Sequence, residues 1–207
     1  MKTITLLSQK GGTGKTTLAV HLAVAAEKAG KSAAILDLDP QASSAGWKAI
    51  RSAETPAVQP VHAPLLASTL KAAEEGGAHF AIIDSAPHSD QAALTAAKLA
   101  DLILIPCRAG ILDIRAIESS AQIARLAGKP AFVVLNALPP QATGLIEETR
   151  EAVAVHGLEL APVAIHQRAA FAHSLIDGRT AQEFDPKGKA AAETAQLYQW
   201  LAKVVKK

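Results

Sequence analysis

Six short aliphatic runs separated by longer segments of helical spacing restrict this chain to an alternating α/β architecture. The runs span residues 3–7, 33–38, 80–83, 102–105, 131–135 and 160–165. They are almost continuously apolar, the pattern of strands covered on both faces, and not the in–out alternation of a half-solvated sheet. Helix-like stretches at 15–29, 91–99, 114–127, 145–155 and 190–205 lie between and after them, long enough to serve as crossovers. The spacing therefore predicts a doubly wound, mainly parallel sheet flanked by helices. Gly30, Gly128 and Gly157 stand where helices should stop. Residues 52–64, with Pro56, Pro60 and Pro64, are the least regular part and are expected to form loops around a short edge strand. Nothing in the 207 residues resembles a linker, so a single domain over 1–207 is expected. Aromatic residues make up only 3% against 49% hydrophobic, so small aliphatic side chains must build the core.

Cysteine and charge narrow the setting. Cys107 is the only cysteine, which excludes an internal disulfide and an all-cysteine iron–sulfur site. Met1-Lys2 leads directly into the first apolar run without a signal-peptide pattern, and no apolar run approaches the roughly 18 residues of a spanning helix. A cytoplasmic protein is expected. The formal net charge of +2 does not argue for nucleic-acid binding, which would need a local patch. The seven histidines show no metal-binding spacing.

The chemistry concentrates after the first strand. Lys10-Gly11-Gly12-Thr13-Gly14-Lys15-Thr16-Thr17 places three glycines in a four-residue window and then opens a helix. Glycines let backbone N–H groups curl around phosphate oxygens, and the helix N-terminus adds partial positive charge. Lys15 is placed to reach the β- and γ-phosphates, and Thr16 offers a hydroxyl to Mg²⁺. The usual phosphate-loop pattern has a glycine six residues before this lysine, but Gln9 occupies that position and Lys10 follows it.

Acidic residues end two further strands. In Ile35-Leu36-Asp37-Leu38-Asp39-Pro40-Gln41 the carboxylates sit at i and i+2 on one face of an extended chain, at the strand end where such sheets bind ligands. The alternative is that one of the pair caps or turns the chain before Pro40. Phe80-Ala81-Ile82-Ile83-Asp84 has the form of a Walker B strand, whose Asp holds Mg²⁺ through water.

The KGGxGKT form resembles the deviant Walker A motif of the ParA/MinD family of ATPases. That resemblance implies a P-loop fold, ATP and Mg²⁺ as ligands, and hydrolysis of ATP to ADP and phosphate. It implies that Lys10 reaches into a partner subunit of an ATP-sandwiched homodimer. The DxDPQ run would place Asp37 in the Mg²⁺ water shell and Asp39 beside the attacking water. Asn136, in Leu135-Asn136-Ala137, falls where the family has an adenine-contacting Asn, with a strand-end turn as the alternative.

The resemblance extends into the C-terminal part, through Ile165-His166-Gln167-Arg168, Asp177-Gly178-Arg179 and Phe184-Asp185-Pro186-Lys187-Gly188-Lys189. It is similar to the small ParA type, without the N-terminal helix-turn-helix of larger relatives. It implies sequence-independent DNA binding, nucleoid association, and stimulation by a ParB-like adaptor protein. Arg168, Lys187 and Lys189 are the candidate DNA contacts. From Asp185 to Lys207 five lysines face two acids, so a modest basic patch exists, with a plain solvated surface as the alternative. Two other readings share the fold. A MinD-like membrane-cycling ATPase would use Leu197, Trp200, Leu201, Val204 and Val205 as an amphipathic face, although that spacing more often faces a core. A metabolic P-loop ligase would need a substrate pocket for which the sequence shows no constellation. Asp113 is expected to cap a helix and not to catalyse.

Overall fold

The computed structural model describes residues 1–110, 113, 116–142 and 144–206, and within them one seven-stranded sheet has the order β3-β2-β4-β1-β5-β6-β7. The strands are β1 (Lys2–Leu6), β2 (Ala33–Asp37), β3 (Ala57–Pro60), β4 (Phe80–Asp84), β5 (Leu102–Cys107), β6 (Ala131–Leu135) and β7 (Glu159–Leu160). Every pairing is parallel. Helices α1 (Lys15–Lys28), α2 (Ser43–Ile50), α3 (Leu66–Glu75), α4 (Asp90–Leu99), α5 (Ile117–Ala127), α6 (Gly144–Ala154), α7 (Ala169–Leu175), α8 (Ala181–Phe184) and α9 (Lys189–Val204) connect and flank the strands. The predicted start of the fifth helix at residue 114, and Lys207, lie outside the described residues.

Strand alternation divides the core by face. Ile4, Leu6, Ile35, Ile82, Leu102 and Leu104 point to the side covered by α1 and α9, where Leu18, Leu22, Leu197 and Leu201 meet them. The intervening residues Leu7, Ile103, Ile105 and Val133 point to α4, α5 and α6. Leu36, Leu38, Ala81 and Ile83 face α3 and α4, through Leu66, Leu70 and Ala96. The period-two division of an unbroken apolar run is the reason each strand needed hydrophobic residues at every position.

The edge strand expected in 52–64 is β3, outermost beside β2. The run expected at 160–165 is shorter, since β7 ends at Leu160. Pro162 has no N–H to continue the ladder, and the chain runs on with single bonds, Ala161 N–H to Val133 O and Ile165 N–H to Leu135 O, both 2.8 Å. The helices α2, α3, α7 and α8 were not anticipated. None buries more than two side chains, Ser44 and Trp47 in α2 and Leu66 and Leu70 in α3, so little in the sequence marks their helical period.

The last helix spends its apolar face inside the fold. Leu197, Leu201 and Val205 are buried against α1, and Trp200 stands edge-on to Phe132 with ring centroids 5.1 Å apart. The apolar face that the membrane-cycling reading would use is therefore packed within the fold. No helix among the described residues is long and apolar enough to cross a membrane.

Candidate functional site

The sheet order places β1 between β4 and β5, where successive connections turn in opposite directions, so the loop after β1 opens into the crevice at the strands' carboxyl ends. Gly12 and Gly14 adopt φ of 73° and 94°, left-handed values that shape the curl before α1 begins at Lys15. A Cβ on Gly11 or Gly12 would meet nothing within 4 Å, so the crest of the loop is open to an approaching group. Lys15 is 7% exposed, and its Nζ donates to Ser8 O at 3.2 Å. Burial pulls its pKa below the ordinary lysine value, against the opposing pull of Asp84 and Asp39.

Parallel pairing of β2 with β4 sets Asp37 directly beside Asp84. Both are buried, and Ser44 is buried with them. The Ser44 hydroxyl donates to Asp84 Oδ2 at 2.8 Å, while the Ser44 and Ala45 N–H groups reach Asp37 Oδ2 at 2.9 and 3.2 Å. Asp37 thus caps the first turn of α2, satisfying amides that a helix start leaves without partners. Burial raises the Asp37 pKa, and the amides of Asp39, Ala45 and Ser44 hold it back. Asp84 is pushed up to about 6, chiefly by burial, against the opposing pull of the Thr16 and Ser44 hydroxyls. Asp84 Oδ1 is buried with no hydrogen-bond partner. A carboxylate oxygen left in this condition beside a second carboxylate and a threonine hydroxyl fits a hard divalent cation with oxygen ligands.

Asp39 is half-buried at the rim, its carboxylate accepting the Gln41 N–H at 2.9 Å in a local turn. Lys10 lies on the same loop as Lys15, with its Nζ 2.7 Å from Asp113 Oδ1. Asp113, expected as a helix cap, gives its carboxylate to this ion pair because the loop brings the ammonium within reach. Asn136 Nδ2 donates to Thr13 O at 2.7 Å. Gly11 to Thr17, Asp37, Asp39, Asp84 and Asn136 therefore converge on one end of the sheet. Arg168, Lys187 and Lys189 belong to a separate region. Arg168 donates through Nε and Nη2 to Glu193 Oε1, which His166 Nδ1 also meets at 2.9 Å, whereas Lys187 and Lys189 are exposed at the start of α9.

Ser44 and His21 escaped the sequence reading. Ser44 had a signal, since it lies seven residues past Asp37 at a helix start. His21 had none: its Nδ1 meets Thr17 O at 2.7 Å and its Nε2 accepts the Ala181 N–H at 3.0 Å, a partner 160 residues away. These partners assign the proton to Nδ1. Full burial holds the imidazole pKa down at about 4.

The model of the CbiA family, the CobQ/CobB/MinD/ParA nucleotide binding domain, matches residues 4–181. "Maintenance of carboxysome distribution protein A" of Gloeobacter kilaueensis is 29% identical over 205 residues, 97% of this chain and 92% of that protein. Among solved structures, the ATP complex of Cyanothece McdA superposes with a TM-score of 0.76 at 18% identity, covering 98% of this chain and 96% of that one. The septum site-determining protein MinD of Pyrococcus horikoshii, complexed with Mg-ADP, gives a TM-score of 0.76 at 17% identity with the same two coverages. At these identities the structural likeness establishes the P-loop fold with its parallel sheet.

Proposed function

The chain belongs to the CobQ/CobB/MinD/ParA nucleotide binding domain family, and on that premise we propose a Mg²⁺-dependent ATPase that forms an ATP-sandwiched homodimer and positions a cargo. The observation that carries this reading is the register of Asp37 beside Asp84 next to the loop that holds both Lys10 and Lys15. The relative named for carboxysome distribution supports positioning as the task.

Each residue has a part in hydrolysis by positioning and charge neutralisation. Amides of residues 11–16 orient the phosphate oxygens, and Lys15 offsets their charge from within the loop. Mg²⁺ would be held by Thr16 and, through water, by Asp37 and Asp84, and it supplies charge neutralisation across the phosphates. Asp39, at the rim and not engaged with Ser44, orients the attacking water. Lys10 exchanges Asp113 for the nucleotide of the second subunit. Between turnovers the dimer binds DNA without sequence preference through Lys187 and Lys189, with a ParB-like adaptor stimulating hydrolysis.

Light scattering of the full chain with and without Mg-ATP tests this reading. Wild type is expected to dimerise only with ATP, Lys10→Ala to dimerise poorly, and Asp39→Ala to dimerise while losing turnover. A monomeric Asp39→Ala protein at saturating ATP would rule out the sandwich. Salt-sensitive retention of mixed-sequence duplex DNA is expected only with ATP; no retention at low salt would remove DNA from the scheme and leave the ATPase.

A further inference from the structure

Asn136 follows β6 directly and is 7% exposed, with its backbone N–H bonded to Cys107 O at 2.8 Å. Its side-chain Nδ2 donates to Thr13 O in the loop at 2.7 Å, across a sequence separation of 123 residues. A Cβ on Gly14 would overlap this Nδ2, so the bond exists only because Gly14 has no side chain. We propose that Asn136 is a positioning residue for the phosphate cradle, acting through its Nδ2 bond to the Thr13 peptide. The inference rests on the nucleotide-site reading above and adds the element that holds the loop in shape.

The Thr13 C=O and the Gly14 N–H belong to one planar trans peptide, so they point in opposite directions. Drawing Thr13 O toward Asn136 turns the Gly14 N–H away from β6, leaving it for an anion in the curl of the loop. Of the other bonds at the loop, Ser8 Oγ to Lys10 O at 3.4 Å and Thr13 Oγ1 to Lys10 O at 3.5 Å are local and long, while the Gln9 N–H to Ser120 Oγ bond at 3.3 Å and the Lys10–Asp113 ion pair hold the residues before the crest. Among the described residues, the Asn136 bond is the short tie that reaches the crest from another strand. The positive-φ glycines on either side of Thr13 have broad conformational freedom, so an external tie is what selects one orientation of the peptide between them. Preorganised donors of this kind recognise phosphate oxygens whatever base is attached.

The test compares Mg-ATP with Mg-tripolyphosphate, which has the phosphates and no base, by titration calorimetry on the full chain. Asn136→Ala is expected to weaken both ligands by a similar factor of about ten, the scale of one well-formed buried hydrogen bond. Asn136→Asp, which keeps the shape and removes the donor, should weaken both at least as much. Thr194→Ala, which removes an equally buried hydrogen bond on α9, controls for general destabilisation and should leave both affinities unchanged. Loss of ATP affinity with tripolyphosphate unchanged would overturn the proposal in favour of a base contact, and no change for either ligand would also overturn it. A wild-type protein that binds neither ligand would overturn the nucleotide reading as well, and that result is distinct from the other two.

Discussion

The carboxyl ends of β1, β2 and β4 bury their charges, whereas Arg168 with Glu193 and Arg51 with Glu183 hold theirs in ion pairs. Lys15, Asp37 and Asp84 are at most 7% exposed, and burial pushes each toward its neutral form. In the second region Glu193 is held below the usual carboxylate range by Arg168 and the His166 amide, against the burial that raises it, and Glu183 likewise by Arg51. One group of residues therefore holds charge against burial, and the other has its carboxylates paired with arginines. Burying unpaired charge costs stability that a ligand of matching charge can restore. Paired charge at the rim of a fold mainly fixes geometry. The contrast separates buried charge that a ligand of matching charge could stabilise from charge that the chain pairs itself.

Lys15→Met tests the contrast at its largest expected effect. ATP affinity should fall by at least about a hundredfold, as expected for a buried charge-assisted contact to phosphate. The unliganded protein should melt no lower than wild type, because a desolvated ammonium is exchanged for an apolar chain of similar length. A clear drop in melting temperature would mean that Lys15 is structural and the contrast is drawn in the wrong place.

His21 lies on the seam between the regions, bonded to α1 and to the start of α8. Its folded pKa is depressed to about 4 from 6.5, so its contribution to stability is intact above pH 6.5 and is lost as pH falls toward 4. That loss amounts to about 3 kcal/mol when complete. Denaturant unfolding from pH 7 to 4 should show His21→Gln with an acid limb shallower by up to this amount. Equal slopes would mean that the imidazole is hydrated in the folded protein.

Smaller effects are expected in the C-terminal region. Arg51 donates to both Glu183 oxygens, at 2.9 and 2.7 Å, and to Gly178 O at 2.8 Å, so Glu183→Gln should cost about 2 kcal/mol of stability. Nucleotide affinity should remain at the wild-type value; a large drop would show the two regions to be coupled. The smallest effect belongs to the exposed lysines. Replacing Lys187 and Lys189 with alanine should leave folding unchanged and flatten the salt dependence of the proposed DNA binding by about one unit per lysine. Arg168→Ala should instead cost stability first, because Glu193 already holds the guanidinium.

Legibility in the sequence follows the same division. Glycines, Lys15 and the strand-end acids are close neighbours along the chain or end apolar runs, so spacing alone placed Asp37 and Asp84 at one end of the sheet. Their side-by-side register required the strand order, which no local pattern encodes. The Lys10–Asp113, Asn136–Thr13 and His21–Ala181 contacts join residues more than 100 positions apart, and no periodicity links such partners. The run at 160–165 misled because its apolar content outweighed a single proline in the reading, whereas the missing N–H of Pro162 decides the hydrogen bonding.

Both open edges of the sheet are made poor templates by their own residues. The outer strand on one side, β3, is four residues long and closes on the exposed Pro60; on the other side β7 has two residues, followed within two positions by the exposed Pro162. Another chain that drew alongside either edge would find few free N–H groups to pair with. Copies of this chain brought close together are therefore poorly suited to extending one another's sheet strand to strand.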